Sequence, residues 1–146
     1  MEYLVGISLA LLVAAFAAYV GFDRDRAFYP VVTVVVASYY ELFAIMGGSA
    51  SALGLETAAF AVFVAVSVIG FRTNLWLVAG ALAGHGMFDA VHSDLISDPG
   101  VPAWWPMFCL SYDMTAGLYL AWRLGRSALA TPAQLDLTHQ SAGEMS

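Results

Sequence analysis

Residues 3–22 (YLVGISLALLVAAFAAYVGF) run for about 20 positions without an Asp, Glu, Lys, Arg or His. Twenty residues of helix, at ~1.5 Å each, span the ~30 Å hydrocarbon core of a bilayer. In lipid every backbone N–H and C=O must be satisfied within the chain, so a helix is the form such a run takes. Four more apolar runs follow, separated by short polar punctuation. Asp23-Arg24-Asp25-Arg26 ends the first, and the second extends from Phe28 to Gly47 with Pro30 in its first turn, where a missing N–H costs little. Gly47-Gly48-Ser49-Ala50-Ser51 makes a small-residue turn into a third run, about Ser51 to Phe71. A start at Thr57, with its hydroxyl as N-cap, would leave this third run only about 15 residues, short for a crossing.

Arg72-Thr73-Asn74 leads into the fourth run, Leu75 to about His92, and the Pro/Gly loop 93–103 (SDLISDPGVPA) leads into the fifth, Trp104 to about Trp122. Tryptophans at both ends of the fifth suit the membrane interface. The predicted fold class is therefore all-α: a polytopic transmembrane bundle of five helices over residues 1–126, with spans of about 3–22, 28–47, 51–71, 75–92 and 104–122. Residues 127–146, which include His139, read as a polar, disordered cytoplasmic tail.

Composition agrees: of 146 residues 61% are hydrophobic and 11% charged, with a mean hydropathy of +0.78. A net charge of −6 and the absence of lysine exclude the basic footprint of a nucleic-acid-binding protein. Ala15-Phe16-Ala17 imitates a signal-peptidase site, but Met1-Glu2-Tyr3 supplies no positive n-region, so the first run reads as a retained span. With five spans, the segments carrying Arg24, Arg26, Arg72, Arg123 and Arg126 all fall on one side, and the opposite loops hold no Arg or Lys. The positive-inside rule then predicts an N-terminus outside and a C-terminus in the cytoplasm of a cell inner membrane.

Against this apolar background, His85-Gly86-Met87-Phe88-Asp89-Ala90-Val91-His92 is the segment that carries chemistry. Ionisable residues at membrane depth are expensive and mark function by default. At about 100° per residue, His85, Asp89 and His92 fall at roughly 0°, 40° and 340°, on one helix face, with Asp94 on the opposite side. Counting ~1.5 Å per residue from the cytoplasmic ends puts Glu41, Glu56, Asp89 and Cys109 at roughly 20 to 23 Å, His85 and Asp113 at roughly 14 to 15 Å and His92 near 26 Å. Four helices thus contribute to one polar layer in the outer half.

Imidazole and carboxylate together suit a divalent transition metal, Zn or Fe foremost. The candidate ligands are His85, Asp89, His92, Asp113, Glu41 and Glu56, a set also compatible with a two-metal carboxylate centre, and Glu41 and Asp113 are the candidate catalytic groups. The competing reading needs no metal: a protonated Asp113 bonded to His85 satisfies both as interhelical glue or as part of a proton-handling network. Cys109 reads as a small buried hydrophobe, and Tyr40 or Tyr112 is placed to orient a ligand through its hydroxyl. No Gly-rich phosphate loop, nucleophile elbow or Ser-His-Asp order is present.

The pattern His85-x-x-Phe88-Asp89-x-x-His92, a Pro-containing loop, then Cys109-x-x-Tyr112-Asp113 resembles that of a family of small uncharacterised bacterial multi-pass membrane proteins. That resemblance implies that the two motifs act as one unit and brings no activity with it. Membrane desaturases and hydroxylases are similar only in principle, because this chain lacks their multiple His-rich boxes. The expected function is a membrane-embedded metal-binding protein, a metal-dependent hydrolase or oxygenase acting on an apolar or lipid substrate near the outer leaflet. The alternatives are a small proton-coupled transporter or channel, and an accessory or scaffold subunit. Gly80, Gly84 and Gly86 would let the fourth helix approach a neighbour or a second copy closely.

Overall fold

The large apolar side chains of the first helix point away from the rest of the protein. Leu4, Leu11, Leu12, Phe16 and Tyr19 are exposed, whereas the buried positions are Gly6, Ala10, Ala14 and Ala17. A water-soluble bundle hides its large residues; a helix in lipid turns them outward and packs through small ones. In this computed structural model the backbone of residues 1–143 and the side chains of residues 1–127 are described, and the tail expected at 127–146 lies almost wholly outside those side chains.

Among the described residues there are five α-helices and no strand: α1 (Glu2–Val20), α2 (Phe28–Met46), α3 (Ala50–Arg72), α4 (Trp76–Leu95) and α5 (Trp105–Gly143), with a 3-10 turn at Phe22–Arg24. Three of them, α1, α2 and α3, are long and apolar enough to cross a membrane. α1 ends at Gly21, whose left-handed backbone (φ 92°) donates its N–H to Ala17 O at 2.8 Å, the usual helix-closing geometry. α3 begins at Ala50 because Ser49 caps it, its hydroxyl accepting from Ala52 N at 3.2 Å. The later start at Thr57 is thereby overturned, and α3 has its full 23 residues.

The helices close into an incomplete ring. α5 lies between α1 and α4, α4 packs on α3, and α3 on α2, while α1 docks on α5 and not on α2. Close approach comes from glycines other than Gly80 and Gly84, which have open space above them. A Cβ on Gly6 would stand 2.0 Å from Ser111 Oγ and 2.4 Å from Phe108 O, and one on Gly117 3.0 Å from Ala79 O.

The arginines gather at one end. Arg26 Nη2 donates to Phe71 O at 3.1 Å, tying the α1–α2 connection to the end of α3, and Asp23 pairs with Arg123 of α5. At the other end the α2–α3 turn meets the α4–α5 loop, where a Cβ on Gly47 would lie 2.6 Å from Gly100 N.

Candidate metal centre

Gly86 sets the distance between the two motif-bearing helices. A Cβ there would stand 3.1 Å from Leu110 O and 3.4 Å from Asp113 Cβ, so only a small residue lets α5 come this near. The buried face of α4 carries His85, Asp89 and His92, and that of α5 carries Cys109, Tyr112 and Asp113. His85 Nδ1 is hydrogen-bonded to Asp113 Oδ2 at 2.7 Å and lies 3.4 Å from Asp89 Oδ2, one turn along its own helix. His85, Asp89 and Asp113 form one buried group whose ligand atoms all lie within 4.8 Å of one another, and such a group can hold a metal ion.

The hydrogen-bond inventory of this group is incomplete. Asp89 Oδ1 accepts from the Tyr40 hydroxyl at 2.6 Å, but Asp89 Oδ2 and Asp113 Oδ1 are buried without a hydrogen-bond partner. Buried polar atoms are ordinarily paired, and buried charge is ordinarily neutralised. Two carboxylates face one imidazole here, so the protein's own groups leave the site short of positive charge or protons.

His92 and Glu56 stand beside this group as a separate pair. His92 Nε2 and Glu56 Oε1 are 2.6 Å apart, with both side chains almost completely buried. Tyr40 joins the two halves: its ring lies face-on to His92 at 4.1 Å and 20°, while its hydroxyl reaches Asp89. Phe63 meets the His85 ring edge-on at 4.8 Å, and Phe88 meets His92 at 5.5 Å, so aromatic faces wall off the polar atoms.

Of the six ligands expected from the sequence, the structure brings His85, Asp89 and Asp113 together, and it couples His92 to Glu56. Glu41 is half-buried and takes no part in either grouping, because it follows Tyr40 by one residue and so projects about 100° away around α2. Cys109 is buried one turn before Asp113 and is not a member of the three-residue group. The residue undervalued by sequence reasoning is Tyr40. In the structure it belongs to the buried series Thr33, Val36, Ala37, Tyr40, Phe43, Ala44 at three- and four-residue spacing, and because α2 is apolar nearly all round the sequence does not single out that face.

No family model matches the chain, and no curated protein or solved structure matches it either.

Proposed function

We propose that this chain is a membrane-embedded metalloprotein in which His85, Asp89 and Asp113 hold one divalent transition metal, Zn or Fe. The observation that carries the reading is the pair of buried carboxylate oxygens without a hydrogen bond, Asp89 Oδ2 and Asp113 Oδ1, beside a buried imidazole. A divalent ion balances two carboxylates and a neutral imidazole to zero charge, the state an apolar interior favours. One metal fits better than two, because His92 and Glu56 already satisfy one another. Three protein ligands leave a coordination position for water or substrate, the pattern of catalytic and not of structural sites. A metal there supplies Lewis acidity or redox capacity, which supports a metalloenzyme, hydrolase or oxygenase, acting on an apolar or lipid substrate.

In the same reading all five helices cross the membrane. α4 and α5 are the inner pair, and the polar residues that lower their hydropathy face one another, away from lipid. The gathering of Arg26, Arg72 and Arg123 at one end supports a cytoplasmic location for that end, hence an outer N-terminus and a metal centre nearer the outer leaflet of an inner membrane. The open face at Gly80 and Gly84 is where a second copy or a partner helix would pack.

Metal analysis of the purified protein tests this reading. About one equivalent of Zn or Fe is expected, falling below about a tenth in His85→Ala and Asp113→Asn. Less than about a tenth of an equivalent of Zn, Fe, Mn or Cu in the parent after mild extraction, unchanged in His85→Ala, would contradict it.

A second reading is favoured by one observation, the series Tyr40, Asp89, His85, Asp113, joined by hydrogen bonds and a close imidazole–carboxylate approach, which resembles part of a proton path. Metal-independent proton flux in proteoliposomes, abolished in Asp89→Asn, would select it.

A further inference from the structure

α2 and α3 pack closely at one end and leave a groove at the other. Beside their connecting turn, Ala44 and Ala52 are buried in one cluster with Ile96. Toward the opposite end an apolar groove lies between the two helices, lined by residues that include Ala27, Val31 and Val35 on the α2 side and Val68 and Phe71 on the α3 side. Val31, Val35, Val68 and Phe71 are exposed, so the groove faces outward, on two helices that are each long and apolar enough to cross a membrane.

We propose that this groove seats the acyl chain of an anionic phospholipid, whose phosphate lies against Arg26 and Arg72. The mouth of the groove is where α2 begins and α3 ends, and an arginine adjoins it on each side. Arg26 precedes Ala27, and Arg72 follows Phe71. Arg26 reaches across the mouth: its Nη2 donates to Phe71 O at 3.1 Å, which holds the guanidinium in place and leaves its other N–H groups to the surroundings. Both arginines are exposed, and among the described residues neither is ion-paired with a carboxylate. Of the acids in the α1–α2 connection, Asp23 is taken by Arg123, and Asp25 caps α2 by accepting from Ala27 N at 2.9 Å. Arg24, Arg26 and Arg72 against Asp25 leave this rim positive.

A positive rim at the end of an apolar groove is complementary to an anionic headgroup on a hydrocarbon chain, and guanidinium binds phosphate through paired N–H donors. Length points the same way. From Ala27 to Val35 the groove runs about 12 Å at ~1.5 Å per residue, close to the ~15 Å of hydrocarbon in one leaflet. A partner helix crossing the whole bilayer would need a seat about twice as long. The inference rests on α2 and α3 lying in a membrane and is independent of the metal centre, whose three residues belong to α4 and α5.

The test uses the full chain in phosphatidylcholine nanodiscs doped with phosphatidylglycerol or, separately, phosphatidylcholine, each bearing an acyl-chain diazirine. After irradiation, adducts are mapped by mass spectrometry. Adducts at residues 30–35 and 67–71 are expected, in higher yield from phosphatidylglycerol than from phosphatidylcholine. That preference should fall about fivefold in Arg26→Gln and in Arg72→Gln, and persist in Arg126→Gln, whose guanidinium lies over Trp122 of α5. Val68→Trp fills the groove from an exposed wall with both arginines in place, and should abolish the groove adducts of both lipids. Equal yields from the two lipids, with Arg26→Gln and Arg72→Gln unchanged, would overturn the proposal, as would groove adducts unaffected by Val68→Trp. Labelling of the exposed Val62 with none at residues 30–35 and 67–71 would overturn it in favour of a protein partner covering the groove.

Discussion

Tyr40 stacks on His92 at 4.1 Å while its hydroxyl, on the opposite side of the site, donates to Asp89 at 2.6 Å. One side chain from α2 thus fixes two residues of α4 that lie three positions apart, and it separates the Glu56–His92 pair from the His85–Asp89–Asp113 group. Tyr40 is a positioning residue: it fixes which Asp89 oxygen remains free.

Tyr40→Phe keeps the stacking and removes the donor. It leaves Asp89 Oδ1 buried and unpaired, at a cost of about 1–3 kcal/mol to the unliganded protein. Outer partners of metal ligands are worth about 10- to 100-fold in affinity, so metal binding should weaken by that factor. Thermal unfolding in detergent together with competitive metal titration checks both. A fall in stability with unchanged metal affinity would remove Tyr40 from the centre.

Removing one member of the Glu56–His92 pair strands a buried polar group, and about 3–5 kcal/mol of destabilisation is expected from Glu56→Ala or His92→Ala alone. The double variant Glu56→Leu/His92→Leu should recover most of that loss, since a buried pair is replaced by apolar groups. Metal stoichiometry should stay near that of the parent in the double variant. A double-mutant cycle with no coupling would show that the pair does not act as a unit.

The glycines differ sharply in what they tolerate. Gly6→Ala drives a methyl into Ser111 Oγ and the Phe108 carbonyl, and should cost about 1–3 kcal/mol and loosen α1 from α5. Gly54→Ala meets nothing within 4 Å and should be neutral or stabilising by up to about 1 kcal/mol, as helix propensity dictates. Unfolding midpoints of the two variants measured side by side decide the matter. Equal effects would mean that α1 is not docked through Gly6.

Membrane orientation is checked with single-cysteine reporters, since the native Cys109 is buried. In intact cells an impermeant maleimide should label Ala103→Cys and leave Arg24→Cys and Arg72→Cys unlabelled until the membrane is permeabilised. The reverse pattern would put the arginine end outside.

The helices were legible in the sequence as apolar runs separated by short polar punctuation, with Pro30 where a first turn tolerates it, whereas the caps that set their ends, Gly21 for α1 and Ser49 for α3, are seen in the structure. His85 and Asp89 were legible as a pair because they are one turn apart on one helix, and Asp113 because it follows Cys109 by the same interval. What could not be read was pairing across helices. Whether His92 meets Asp113 or Glu56, and whether α2 turns Tyr40 or Glu41 inward, depends on the rotation of α2 and α3, which is set by non-local contacts such as Tyr40 with Phe88 and Phe63 with His85. The Gly80–Gly84–Gly86 series divides in a way the sequence does not show. Gly86 alone faces α5, and Gly117, on the partner helix, does the complementary work.

X-ray absorption at the edge of the bound metal reads the ligand set directly. A first shell of nitrogen and oxygen at about 2.0–2.2 Å with one imidazole and no sulfur is expected, lost in Asp113→Asn and retained in the Glu56→Leu/His92→Leu variant. A sulfur scatterer from Cys109, two imidazoles, or a shell unaltered by Asp113→Asn would contradict a centre built from His85, Asp89 and Asp113.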